Sequence, residues 1–242
     1  MTVTNSDSGT NIQPVAENIW RINTPVTLPD GGEFSFNQYL ISADKPLLFH
    51  TGPLGLFSMV RDAVRHVIAP EALRYIAFSH FEADECGSLN QWLEVAPESQ
   101  PVCSAIGAMT SIGDIAIRRP RGMGDGEALN LGNATVEWIT APHVPHGWDN
   151  GFLFERSTGT LLCGDLFTQP GRGDVALTTD DILGPSEAFR AVMDYYSHSP
   201  DTDAVLNRLA ALEPRVLACM HGSAWRGDGG AKLKDLAAAL EQ

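Results

Sequence analysis

The sequence predicts an α/β fold in one domain over residues 1–242, on three observations. Short runs of strand type take turns with segments of helical period along the whole chain. No linker, internal repeat or shift of composition divides it. Residues of metal-binding type recur just past the strand-like runs, where α/β folds assemble their sites.

Taken in order, the polar start reads as loose chain and Asn18 to Thr24 as a strand. Phe34 to Ser42 sets Phe36, Tyr39 and Ile41 among polar residues, a half-buried strand pattern. Pro46 to Phe49 is a short apolar strand stopped by the turn signal His50-Thr51-Gly52-Pro53. Leu56 to Ile68 places Met59, Val60, Ala63, Val64, Val67 and Ile68 at helical spacing. Leu73 to Phe78 is a buried strand running into Ser79-His80-Phe81-Glu82-Ala83-Asp84-Glu85, and Ser88 to Val95 follows as a helix.

The second half keeps the rhythm without repeating the sequence. Val102 to Ile106 reads as a strand, then a short helix, and Arg118 to Asn133 as a loop rich in Gly, Pro and charge. Thr135 to Thr140 is a strand entering Ala141-Pro142-His143-Val144-Pro145-His146. Phe152 to Glu155 and Thr160 to Cys163 form a hairpin that ends at Gly164-Asp165. Helical segments lie within Pro185–Tyr196 and Asp203–Leu212, Val216 to Met220 is a strand delivering His221-Gly222, and Ala231 to Leu240 is the last helix.

A hydrophobic content of 43% excludes a disordered chain. At this length roughly 70% of the extended surface can be buried, so the core needs no disulfide or zinc staple. Thirty acidic against sixteen basic residues leave a formal charge of −14, which repels phosphate backbones and anionic lipid. Nucleic-acid and membrane partners are therefore not expected. No apolar run approaches the ~20 residues of a membrane span, and the polar start is no signal peptide. Cys86, Cys103, Cys163 and Cys219 are scattered without a CxxC pair and read as reduced thiols in a cytoplasmic protein.

His80, His146, Asp165 and His221 each follow a predicted strand. Within the first loop His80, Glu82 and Asp84 alternate, so an extended segment turns all three to one side. Glu85 comes next, at a helix start where its charge also suits the dipole. Four such loops, converging, would gather three imidazoles and up to four carboxylates.

The order and context resemble the metallo-β-lactamase fold, and more closely the diiron lactamase-like domain of flavodiiron proteins. The resemblance spans nearly the whole chain. It is carried by Phe36-Asn37-Gln38-Tyr39-Leu40-Ile41, His80-x-Glu82-x-Asp84, His146-Gly147-Trp148-Asp149-Asn150, Cys163-Gly164-Asp165-Leu166-Phe167 and Met220-His221-Gly222. It implies a four-layer αβ/βα sandwich of metallo-β-lactamase type. Hydrolases of the wider fold usually carry a second His where Glu82 stands. By the resemblance, one iron belongs to His80, Glu82 and His146, a second to Asp84 and His221, and Asp165 bridges both. Two departures stand out. Glu85 takes the place of a His in the flavodiiron pattern, and the chain stops without the flavodoxin-like FMN domain. No bound flavin is therefore expected, and stand-alone oxygen-binding diiron proteins fit better than full reductases.

The donor set agrees with that resemblance. Structural zinc favours Cys and His, whereas oxygen-rich sites favour harder ions. Two iron ions (Fe2+/Fe3+) are expected ahead of manganese or zinc, and a bridging carboxylate holds such a pair about 3.5–4 Å apart. Four ionised carboxylates would neutralise two divalent ions and favour the diferric state, lowering the reduction potential.

Ordinary roles compete for several residues. His143 is an alternative to His146 as ligand, and Asp149 either orients His146 or makes a turn. His50 ends a strand beside Thr51-Gly52 and either stands next to the ligands or, the reading preferred, is structural. His66 and His198 read as solvated, and Cys163 and Cys219 as core. Cys86 either modulates the metals or senses oxidation or, the reading preferred, packs at a helix start. Phe81, Trp148, Tyr195 and Tyr196 either wall the pocket or, as aromatic residues usually do, serve as packing. Gly227-Asp228-Gly229-Gly230 lacks the strand, helix and Lys of a phosphate cradle and reads as a flexible turn.

The expected function is a cytoplasmic non-haem diiron protein that binds O2, or NO, and reduces or senses it. Electrons would come from a separate donor, or the output would pass to a signalling partner, and a homodimer is compatible. The alternative is a binuclear metallohydrolase acting on an ester, thioester or lactone. A metal-free interaction module would require the whole ligand set to be idle.

Overall fold

The computed structural model describes residues 1–241. One sheet runs in chain order through β1 (Thr2–Val3), β2 (Asn11–Ala16), β3 (Ile19–Thr27), β4 (Glu33–Ile41), β5 (Leu47–Phe49), β6 (Tyr75–Ala77), β7 (Gln100–Ser104) and β8 (Arg121–Met123). The other is built from β9 (Ala128–Asn130), β10 (Thr135–Thr140), β11 (Gly151–Glu155), β12 (Thr160–Leu162), β13 (Leu177–Thr178), β14 (Val216–Ala218) and β15 (Ala224–Arg226). Its spatial order is β13-β15-β14-β12-β11-β10-β9. The helices are α1 (Phe57–Val64), α2 (Ala83–Cys86), α3 (Leu89–Val95), α4 (Ala105–Gly107), α5 (Gly113–Ile115), α6 (Leu183–Met193), α7 (Thr202–Ala210) and α8 (Gly229–Leu240). A π turn over Ala108–Ile112 joins α4 to α5.

Side chains alternate across a strand, and here the alternation sorts them into separate cores. Tyr39, Ile41, Leu47, Phe49, Ala77 and Val102 face Val136, Trp138, Leu153, Leu162 and Ala218 of the opposite sheet. Their neighbours Leu40, Leu48, Ile76 and Cys103 pack outward against Val60 and Val64 of α1 and Trp92 and Leu93 of α3. On the far side Phe152, Phe154, Leu161 and Leu217 pack against Leu206 and Leu209 of α7 and Leu233 and Leu236 of α8. Three apolar seams thus separate four layers, the αβ/βα sandwich expected.

Several stretches differ from expectation. The supposedly loose start holds β2, paired along β3, and buries polar residues: Thr10 Oγ1 lies 3.1 Å from Thr24 Oγ1. A strand that buries hydrogen-bonded Thr and Asn, and carries Pro14, lacks the apolar alternation that marks strands. The Arg118–Asn133 loop contains β8 and β9, edge strands of opposite sheets that bury one side chain each, Met123 and Leu129. One buried side chain in three residues is too little periodicity to read. Gly229 and Gly230 also belong to α8, whose N-terminus is capped by Asp228 accepting from Ala231 N at 2.9 Å. That segment is a helix start rather than a flexible turn.

The ends of β6, β12 and β14 meet at one edge of the sandwich, tied by backbone bonds. Gly151 N donates to Ser79 O at 3.0 Å, Asn37 N to Met220 O at 2.8 Å, and Met220 N to Gly164 O at 2.8 Å. Among the described residues, no helix is long and apolar enough to cross a membrane.

Candidate metal centre

That edge gathers all seven residues singled out by sequence. His80 follows β6 and is buried. Its Nε2 lies 3.1 Å from Glu82 Oε2, 3.8 Å from Asp165 Oδ2 and 3.9 Å from Glu85 Oε2. His146 follows β10 and brings its Nε2 to 3.2 Å from the same Glu82 oxygen and 3.3 Å from Asp165 Oδ2. His221 follows β14, with Nε2 3.4 Å from Asp165 Oδ1 and 3.5 Å from Asp84 Oδ2. One oxygen of Asp165 therefore faces two histidines and the other faces the third.

The far nitrogens are held from outside. His146 Nδ1 donates to Tyr195 O at 2.9 Å, and His221 Nδ1 donates to Ser35 O at 2.9 Å. A carbonyl can only accept, so these bonds place the proton on Nδ1 and leave Nε2 to face the cluster. His80 Nδ1 lies 2.9 Å from Ser79 Oγ. Every imidazole thus has its outer nitrogen engaged, as ligating histidines require.

Charges in the cluster are strongly perturbed. Hydrogen bonds from His146 and His80 pull the Glu82 carboxyl down to about 2. Burial alone would raise Asp165, but His221, His80 and His146 hold it below the usual range. Burial raises Asp84, with His221 only partly offsetting it. Glu85 is fully enclosed, and burial followed by the carboxylates of Asp165 and Asp84 drives it well above normal. For His146 and His221 burial acts downward, yet the carboxylates around them win and both are raised.

Both oxygens of Glu85 and Oδ1 of Asp165 are buried without a hydrogen-bond partner. Four carboxyl groups crowded on three imidazoles, with acceptors left unpaired, are costly unless a cation enters. His80, His146 and Asp165 present ligand atoms within 4.8 Å of one another, as do His80, Glu82 and Glu85. The donor set fits metal, and it is rich in hard oxygen.

The competing histidine stays out: His143 is exposed, and the ring that enters the cluster is that of His146. Asp149 does not orient it. Its Oδ2 accepts from Phe81 N at 3.0 Å, fixing the loop after β6, and the Tyr195 carbonyl does the orienting. Tyr195 approaches His146 edge-on at 6.2 Å between ring centroids, Tyr196 lies in the core, and Phe81 and Trp148 are exposed. Cys86 is packed, its Sγ bonded to Glu82 O at 3.2 Å and its thiol pushed up to about 12 by burial, which disfavours the thiolate. Ser79 went unremarked in the sequence, and no residue pattern marks the carbonyls of Ser35 and Tyr195.

The profile described as ODP family beta lactamase matches residues 34–222. The Flavo-diiron protein FprA2 of Clostridium acetobutylicum is 26% identical over 197 residues, covering 78% of this chain and 48% of that protein. The chain spans less than half the length of the curated relatives it matches. In structure it resembles the rubredoxin oxygen:oxidoreductase of Desulfovibrio gigas, with a TM-score of 0.85 at 20% identity, over 96% of this chain and 62% of the other. The Flv1 flavodiiron core of Synechocystis sp. PCC6803 superimposes with a TM-score of 0.79 at 21% identity, over 96% and 61%. The resemblance read from the motifs is borne out.

Proposed function

Because the chain belongs to the ODP family of beta lactamases, we propose that it is a non-haem diiron protein that binds O2, or NO, and reduces or senses it. The observation that carries the reading is the split carboxylate of Asp165, Oδ2 toward His80 and His146 and Oδ1 toward His221, inside a buried, oxygen-rich cluster. In this reading His80, Glu82 and His146 would hold one iron, with Glu85 in reach, Asp84 and His221 would hold the other, and Asp165 would offer an oxygen to each. When bound, the iron pair supplies open coordination positions and electrons for a diatomic ligand.

The chain's own residues do the rest. The Tyr195 and Ser35 carbonyls hold the Nδ1 proton of His146 and His221, so Nε2 is the nitrogen that would give up its proton to a metal. Glu82, half-exposed at the mouth, is the ligand nearest solvent, and the enclosed Glu85 would add negative charge once a cation displaces its proton. That charge favours the oxidised pair. A relative named for rubredoxin and oxygen supports O2 as ligand and a separate protein as electron donor. Four free, buried cysteines support a reducing, cytoplasmic setting.

The test is anaerobic purification from iron-replete cells with metal quantitation, then a visible spectrum before and after air. Two irons per chain with absorption that changes on exposure are expected. Two zincs with turnover of an ester, thioester or lactone would replace the reading with a hydrolase, and a chain that takes up no metal would refute it.

A further inference from the structure

We propose that His50 is a positioning residue of the metal centre, acting on the ligand His80 through Ser79. The inference rests on His80 being a ligand and goes beyond the ligand set itself.

His50 caps β5 and is fully enclosed, its ring stacked on Phe49 at 4.2 Å between centroids. Its Nε2 lies 3.1 Å from Ser79 Oγ, and that hydroxyl lies 2.9 Å from His80 Nδ1. Its Nδ1 lies 2.8 Å from the thioether of Met220, the residue before His221. The backbone at His50 is left-handed, φ +65°, a conformation a non-glycine residue keeps only when its surroundings hold it. Two anchors do so: its N donates to Ala77 O at 2.8 Å, and its ring is fixed at both nitrogens.

The protons in this chain can run only one way. A ligating His80 offers the lone pair of Nε2, so Nδ1 carries the proton and donates to Ser79 Oγ. The Ser79 hydroxyl, having accepted, turns its own hydrogen to His50 Nε2. His50 must then be neutral with its proton on Nδ1, pointing at Met220 sulfur, an atom that only accepts. Replacing His50 by a group that cannot accept at Nε2 leaves the Ser79 hydroxyl free to donate to His80 Nδ1. That would move the His80 proton to Nε2, the nitrogen the metal needs bare. His50 therefore selects the ligating tautomer of His80, and through Met220 it braces the loop that carries His221.

The test uses three variants of the full chain, with zinc as a diamagnetic probe and ferrous iron in parallel, both titrated against a chromophoric chelator. His50→Phe keeps the ring and removes the acceptor, Ser79→Ala cuts the relay without touching the core ring, and His50→Gln restores an acceptor at similar reach. His50→Phe and Ser79→Ala should weaken metal binding about 10- to 100-fold, and His50→Gln less than about threefold. In zinc-loaded protein the His80 Nδ1 proton should give a slowly exchanging downfield resonance in wild type and His50→Gln, lost in the other two. Loss of packing alone would lower the melting temperature without moving that signal. Unchanged affinity and resonance in Ser79→Ala would overturn the inference, and so would His50→Gln failing as badly as His50→Phe. If His50→Phe does not fold, Ser79→Ala decides. A wild type that takes up no ion fails the metal-centre reading, whereas a wild type binding two ions beside an unaffected Ser79→Ala fails the His50 inference alone.

Discussion

His146 and His221 are raised because carboxylates face them, so each is more basic folded than unfolded. Stability from those charged pairs is complete below the ordinary histidine value of about 6.5 and is lost as pH rises through the folded values. Asp84 and Glu85 are raised by burial, and a carboxyl raised on folding also costs stability as pH climbs past its unfolded value. All four act in one direction. Glu82, held at about 2, acts oppositely, but only in acid, where its contribution is lost between about 4.5 and 2. The metal-free protein should therefore melt at progressively lower temperature as pH rises from about 6.5 through the raised histidine values. Glu85→Gln should flatten that slope, because the amide has no proton to lose, while weakening iron binding about tenfold or more if Glu85 ligates. Metal ligands must be deprotonated, so affinity for iron should rise over the same pH range. Thermal melts with and without chelator check this, and a metal-free curve that is level or rising would refute it. The gathering of His80, Glu82, Asp84, Glu85, His146, Asp165 and His221 was legible because metal-binding types follow strand ends in a motif order. Their supports were mostly not, since any residue offers a carbonyl and Ser79 carries no mark; only His50, by its place at a strand end, hinted at its nearness.

Among the elements, the β10–β11 pair holds a close backbone-to-ring contact beside the intersheet core. Trp138 of β10 is fully buried between them, and Gly151 opens β11 against its indole. A Cβ at Gly151 would run into the Trp138 ring, which has no room to retreat. Gly151→Ala should cost roughly 1–3 kcal/mol from overpacking, read as a lower urea midpoint at unchanged slope. Because Gly151 N holds Ser79 O, the same substitution should disturb His80 and weaken metal uptake. An unchanged midpoint would show that the ring can yield. Strands such as β4, with Phe36, Tyr39 and Ile41 spaced along it, announced themselves in the sequence. Those that did not are β2, held beside buried Thr and Asn pairs, and β1, β8, β9, β13 and β15, two or three residues each. For such strands the sheet supplies the pattern, and the local sequence has none to show.

At the scale of the molecule, the cluster joins loops from both sheets: β6 lies in one, and β10, β12 and β14 lie in the other. Ions held there would span the central apolar seam, so neither sheet could open without releasing them. Metal bound only by the folded chain stabilises it by about 4 kcal/mol at a thousandfold excess over the dissociation constant. A chain of this size gains about 2–4 °C per kcal/mol, so loading should raise the melting temperature by roughly 8–16 °C. The transition should stay single, because Asp165 on β12's loop turns one oxygen to His80 of one sheet and the other to His221 of the other. Calorimetry with stepwise chelation checks this. A melt that splits in two, with only one component following the metal, would mean that the ions grip one sheet alone and that Asp165 does not bridge.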